Sequence, residues 1–177
     1  MNAFLLMVPL LLIRFGLLSI IDKSALRRAS YFAPLEGGER VAYFFYQASN
    51  LMIVLYPLLL KIQTKPPKFI VGLLIYILGV GILTISTIAF AKPDQKGLNA
   101  NGIYRISRNP MYIGYFIYFS GCAVLTNSML LFISLLIFQV SAHWIILSEE
   151  RWCIKQFGSN YVSYMNRVNR YFSFRIY

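Results

Sequence analysis

The sequence predicts an all-α, multi-pass transmembrane helical bundle of about five spans, the last two forming a helical hairpin. Three observations carry this expectation. The 177 residues are 58% hydrophobic and only 13% charged, whereas soluble domains are roughly half apolar and a quarter charged. Several apolar runs approach the roughly 20 residues that cross a bilayer. The net charge of +11 is concentrated between those runs, which fits membrane orientation better than nucleic-acid binding.

The first run, 1–21, lacks a basic leader and a small-residue cleavage site and carries Arg14 inside it. It reads as a retained span rather than a cleaved signal. The second, 41–60, is rich in Tyr and Phe, and the third, 69–91, contains no charge. Runs 110–125 and 129–147 are separated only by Thr126–Ser128, so they form an antiparallel hairpin whose first arm is short for a full span. Gly72, Gly79 and Ser86 recur every seven residues in the third run, and Gly114 and Gly121 do so in the fourth. Small residues at that spacing mark close helix contacts in lipid. The chain reads as one integral-membrane domain, 1–177, with three N-terminal spans in 1–91. Residues 92–177 then hold a loop, the hairpin and a tail.

Thirteen basic residues fall in 22–40, in 92–109 (including Lys96) and after 150 (including Arg175); three, Lys61, Lys65 and Lys68, fall in 61–68. Positive residues stay cytoplasmic. Five spans therefore place the N-terminus outside and the C-terminus inside, with loop 92–109 and the tail in one cytosolic compartment, close in space.

Two cysteines and one histidine supply neither a disulfide framework nor a metal site. Polar residues instead gather in "NGIYRISRNPMYIGYF", Asn101 to Phe116. Asn109 is a natural N-cap and Pro110 a natural first helical residue, which leaves Tyr104, Arg105, Arg108 and Tyr112 unexplained. At the other end of the hairpin stand Glu149 and Glu150, two of only six acidic residues. Near a membrane such carboxylates are paired or functional. Salt bridges to Arg105, Arg108 or Arg151, solvation, and a ligand site all remain open. Arginine and helix-terminal amides suit a carboxylate, glutamates suit an ammonium, and tyrosine rings suit an adenine or a cation. A zwitterionic amino acid joined to a nucleoside meets all three. In the tail, Tyr161, Tyr164, Arg167, Arg170, Tyr171 and Phe172 interleave aromatic and basic groups. Interfacial anchoring accounts for this better than single-stranded nucleic acid.

"GIYRISRNPMYIG" resembles the Gly-x-Tyr-x-x-x-Arg-His-Pro-x-Tyr-x-Gly signature of the isoprenylcysteine carboxyl methyltransferase and phospholipid methyltransferase superfamily. "EERWCIKQFGSNYVSYMNRV" resembles that family's Glu-Glu, Phe-Gly, Tyr, Tyr and Arg-Val tail; together the likeness spans about 96–172. It implies an integral-membrane, S-adenosylmethionine-dependent methyltransferase with no metal and no nucleic-acid partner. Its cofactor pocket would open to the cytosol and its lipophilic or lipidated acceptor would enter from the bilayer. Carried over, Tyr104, Asn109, Pro110, Met111 and Tyr112 line the cofactor pocket, Glu149 and Glu150 hold its polar end, and Leu98 and Asn99 are weaker members. Arg108, Asn109 and Glu150 are the candidate catalytic residues. The family histidine before the proline is Asn109 here, which cannot titrate. The arginine that prenylcysteine-specific members place a turn before the glutamates falls near Ile145, with His143 as a substitute. The expected reaction is carboxyl O-methylation of an isoprenylcysteine-like acceptor. N-methylation of a phospholipid amine, S-methylation of a thiol, and a non-catalytic membrane subunit are the alternatives.

Overall fold

The computed structural model describes residues 1–94 and 97–172, so Lys96 and Arg175 lie outside the described residues. Four helices among these are long and apolar enough to cross a membrane: α1 (Ala3–Ile21), α3 (Glu39–Leu59), α4 (Lys68–Ala91) and α6 (Met129–Phe157). The shorter α5 (Pro110–Thr126) makes the fifth member of the bundle. Two short helices, α2 (Lys23–Ala29) and α7 (Ser159–Arg167), complete the all-α fold.

Local chemistry sets most of the boundaries. Asn2 accepts a bond from the Phe4 amide to start α1, and Asp22 accepts one from Ser24 to start α2. Ser128 accepts from the Leu131 amide to start α6, as an N-cap serine does. Between α5 and α6, Asn127 takes the left-handed conformation at φ 49°, so the hairpin turn is as tight as "TNS" implies. The sequence expectation ended the last span at 147. The helix instead runs on to Phe157 and stops at Gly158, whose φ is 55°. Glu149 and Glu150 therefore stand on a rigid helix. No helix breaker occurs between 147 and 157, so the loss of apolar periodicity marks a change of environment rather than a helix end.

The two pairs in closest association are α4 with α5 and α3 with α6. The small residues explain the first pair. A Cβ built on Gly79 would lie 2.4 Å from Tyr118 Cα, and one on Gly121 would lie 2.5 Å from the Tyr76 backbone nitrogen. The two seven-residue rows face each other, and only glycine lets the backbones meet. Helix α1 is irregular, with a 3-10 start (Ala3–Met7) and a π-helical turn (Leu12–Leu17) that contains Arg14. Tyr76 and Tyr118 both donate from their hydroxyls to the Leu6 carbonyl at the 3-10 start.

The loops sort into two ends. At one end the Ala3 amide donates to the Leu60 carbonyl, Gln63 to Leu125, and Lys68 Nζ to Asn127. At the other, Arg14 Nη2 donates to the Ala29 carbonyl at 2.5 Å, and Arg151 joins the loop before α3 through the Pro34 carbonyl. Arg151 also pairs with Glu39 at 2.7 Å and Glu36 at 3.3 Å, tying α6 to α3. The N-terminus and loop 61–68 thus share one end, and the basic loops and the tail share the other.

Candidate functional site

The site lies at the basic end, where loop 97–109 and the tail meet the hairpin. Asp94 accepts from the Leu98 amide at 2.8 Å, which closes a turn around Gly97. A 3-10 turn, Gly102–Arg105, then buries Tyr104. The Tyr104 carbonyl accepts the Tyr164 hydroxyl at 2.6 Å, while Leu98, Tyr161, Tyr164 and Val168 form a small core of their own. The expectation of interfacial anchoring fails for Tyr161 and Tyr164. Their rings are buried because the tail folds back onto the loop instead of lying along the membrane surface.

Three hydrogen bonds lock that return. The Arg108 amide donates to the Asn169 carbonyl at 3.1 Å. Ser107 Oγ and Asn109 Nδ2 donate to the Arg170 carbonyl at 3.2 and 3.1 Å. Asn109 does occupy the N-cap position of α5, with Pro110 after it, but its side chain makes no capping bond. The expected cap is corrected here: the amide is turned to the tail and used as a donor. The Ser107 hydroxyl meanwhile accepts from the Asn109 backbone N–H.

The two glutamates diverge. Glu150, with a side chain only 6% exposed, receives Arg108 Nη2 at 3.1 Å and Arg170 Nη2 at 2.7 Å. Arg170 Nε adds a third contact at 3.0 Å. That hydrogen bond to the carboxylate raises the Arg170 pKa further. One of the salt bridges left open by the sequence is therefore made to Arg108; Arg170 is the partner the sequence reading missed. Arg151 turns away to α3. Glu149, one residue earlier, faces the bundle and accepts the Tyr112 hydroxyl at 3.2 Å. Arg14 of α1 lies within its electrostatic reach. Tyr46 of α3 and Tyr115 of α5 close the same space. Burial pushes the Tyr104 hydroxyl well above the usual phenol range, with Tyr164 and Glu149 reinforcing it, so it stays a neutral donor.

Two of the residues singled out in the sequence hold buried polar atoms with no hydrogen-bond partner among the described residues: Arg108 at Nε and Nη1, and Asn99 at Oδ1. Such groups are normally satisfied. Here they are two guanidinium nitrogens and an amide oxygen in the same loop. Pro110 is buried at the start of α5, while Met111 and Tyr112 are half-buried in its first turn. Ile145 is fully buried and apolar. His143 shares a 2.8 Å hydrogen bond with Tyr171. Among the described residues no group of three or more His, Cys, Asp or Glu is placed to hold a metal.

Along the hairpin toward the opposite end, a cavity of about 490 Å³ is lined by Ile113, Phe116, Ile117, Gln139, Val140, Tyr171 and Phe172. Arg14 and Tyr46, from the two helices that carry no motif, were missed as site members. The one available signal was a charge inside an apolar span.

One end of the bundle thus gathers carboxylates, guanidinium groups and tyrosine rings beside an apolar cleft. A family model described as phospholipid methyltransferase matches residues 67–160, just over half of the chain. No curated protein matches it.

Proposed function

Because the chain belongs to the phospholipid methyltransferase family, we propose that it is an integral-membrane methyltransferase that uses S-adenosylmethionine and acts on a lipophilic acceptor. The observation that carries this reading is the presence at one end of the bundle of Glu149, whose described hydrogen-bond partner is Tyr112, and of Arg108, whose Nε and Nη1 have no partner among the described residues. A carboxylate and a guanidinium with unused N–H donors complement the ammonium and carboxylate of an amino acid.

S-adenosylmethionine supplies an electrophilic methyl group on a sulfonium. Glu149 would hold its ammonium, and an N–H of Arg108, at Nε or Nη1, its carboxylate. Asn99 Oδ1 would accept from an adenine or ribose donor. The Tyr104 and Tyr112 rings would face the nucleoside and the cation, with Leu98, Pro110 and Met111 completing the wall. Glu150 positions Arg108, and Asn109 positions the tail that holds Glu150 in place. Tyr46 stacks on Phe138 at 4.9 Å, and Tyr115 meets the same ring edge-on. These aromatics exclude water from the bilayer side of the site. Orientation and desolvation then supply most of the acceleration, because Asn109 offers no titrating base.

The preferred acceptor is the carboxylate of an isoprenylcysteine-like molecule. A carboxylate is nucleophilic without losing a proton, and the Arg14 guanidinium favours an anion at the membrane side of Glu149. The match to the phospholipid methyltransferase model favours a second acceptor, a phospholipid amine. The basic end faces the cytosol, with the N-terminus outside. Purified protein in nanodiscs, incubated with methyl-labelled cofactor and each acceptor, distinguishes these. A carboxyl product releases its label as methanol in base, and an N-methyl product does not. Failure of the wild-type protein to bind the cofactor by calorimetry would leave only the non-catalytic reading.

A further inference from the structure

The cavity between α5 and α6 has one polar amide side chain in its otherwise apolar and aromatic wall. Its walls are apolar, with Ile113 and Phe116 on one side and the tail residue Phe172 on another. Gln139 also lines it, and Gln139 Oε1 is buried without a hydrogen-bond partner among the described residues. No bulk water reaches a bilayer core to satisfy such a group, and an unpaired buried acceptor is rare in folded proteins. The neighbouring polar groups do not help, since His143 and Tyr171 are engaged with each other at 2.8 Å. Val140 and Phe172 are 67% and 56% exposed, so the cavity opens on the face that lipid covers. Its occupant therefore enters sideways from the bilayer, is mostly hydrocarbon, and brings a donor to Gln139.

The register on α6 fixes where that donor must be. Gln139 and Glu149 are ten residues apart on one helix, which is about 15 Å along its axis. We propose that this cavity binds the chain of the methyl acceptor, and that Gln139 selects acceptors with a second hydrogen-bond donor, a hydroxyl or N–H, roughly 10–15 Å from the methyl-accepting atom. This rests on the methyltransferase reading, and it adds a specificity-determining residue outside the motifs. A site built to hydrogen-bond a substrate hydroxyl discriminates strongly against the analogue without one.

The test uses two fatty acids as probes, octadecanoic acid and 12-hydroxyoctadecanoic acid. They carry the same carboxylate and differ in a hydroxyl partway along the chain. Their affinities are measured on the full chain in nanodiscs, with cofactor affinity measured in parallel. Wild-type protein is expected to bind the hydroxylated acid about ten-fold more tightly or better. Gln139→Leu should bind the two equally, with cofactor affinity unchanged. Gln139→Met, closer in shape, should behave the same way and guards against a misfolded leucine variant. Equal affinities in the wild type, or a preference that survives both substitutions, would overturn the proposal. So would a wild-type protein that binds cofactor but neither acid, because the cavity would then hold only water or bilayer lipid. Loss of cofactor binding with the hydroxyl preference intact would instead count against the methyltransferase reading and leave the role of Gln139 standing.

Discussion

Replacing Glu150 by glutamine separates the two roles that a pair of adjacent glutamates can play. The carboxylate is 6% exposed and receives Arg108 Nη2 at 3.1 Å and Arg170 Nη2 at 2.7 Å. Glutamine keeps one acceptor oxygen but removes the charge, leaving two guanidinium groups facing each other. Breaking a buried ion pair from one side costs about 3–5 kcal/mol. Arg170 is 29% exposed, so water recovers part of its loss, and about 3 kcal/mol is the expected cost. For a chain of this length that corresponds to a fall of roughly 6–12 °C in Tm. Arg170→Met should cost less, about 1.5–3 kcal/mol, because the Arg108 pair survives it. The double variant should fall short of the sum of the singles, since both remove the same contact. Thermal unfolding of purified protein in detergent gives the stabilities. Limited proteolysis reads release of the tail beyond α7. Should Glu150→Gln unfold within a degree or two of wild type with a protected tail, the carboxylate is not the clasp described here. A fall in cofactor affinity alone would then make it a ligand contact.

Glu149→Gln is expected to do the reverse, lowering cofactor affinity by about ten-fold through loss of a charge-assisted bond while Tm stays near wild type; calorimetry decides. Asn109→Asp should lower Tm and loosen the tail, because Nδ2 donates to the Arg170 carbonyl and a carboxylate cannot; a neutral result would restore the capping role. Gly121→Ala should destabilise by more than the usual 1–3 kcal/mol of an overpacked core, since the new Cβ meets Tyr76 backbone at 2.5 Å. Gly16→Ala, with nothing within 4 Å, is its control in the same melting assay. Tags at the two ends should report a cytosolic C-terminus and an exterior N-terminus, and a cytosolic N-terminus would reverse the proposed orientation.

Composition and run length alone determined the helical membrane class, because a bilayer admits few alternatives for a chain with such apolar runs. The facing glycine rows and the "TNS" turn were equally legible, since each depends on residues close in sequence or at fixed helical spacing. The motif around Tyr104 to Tyr112 and the pair Glu149–Glu150 do come together at one end of the bundle, as their places at the two ends of the hairpin imply. What they did not reveal was the division of labour within it. Both glutamates look alike in sequence, yet successive helix positions point about 100° apart, and only the packed bundle decides which one meets Tyr112 and which meets two arginines. Asn109 is a cap by every local rule, and its amide was redirected by a carbonyl 61 residues away. Tyr46, Arg170 and Gln139 carry no local signature of their role, and Arg14 only that of a charge inside an apolar span. Their surroundings come from other helices and from the returning tail, and those contacts exist only once the chain has folded.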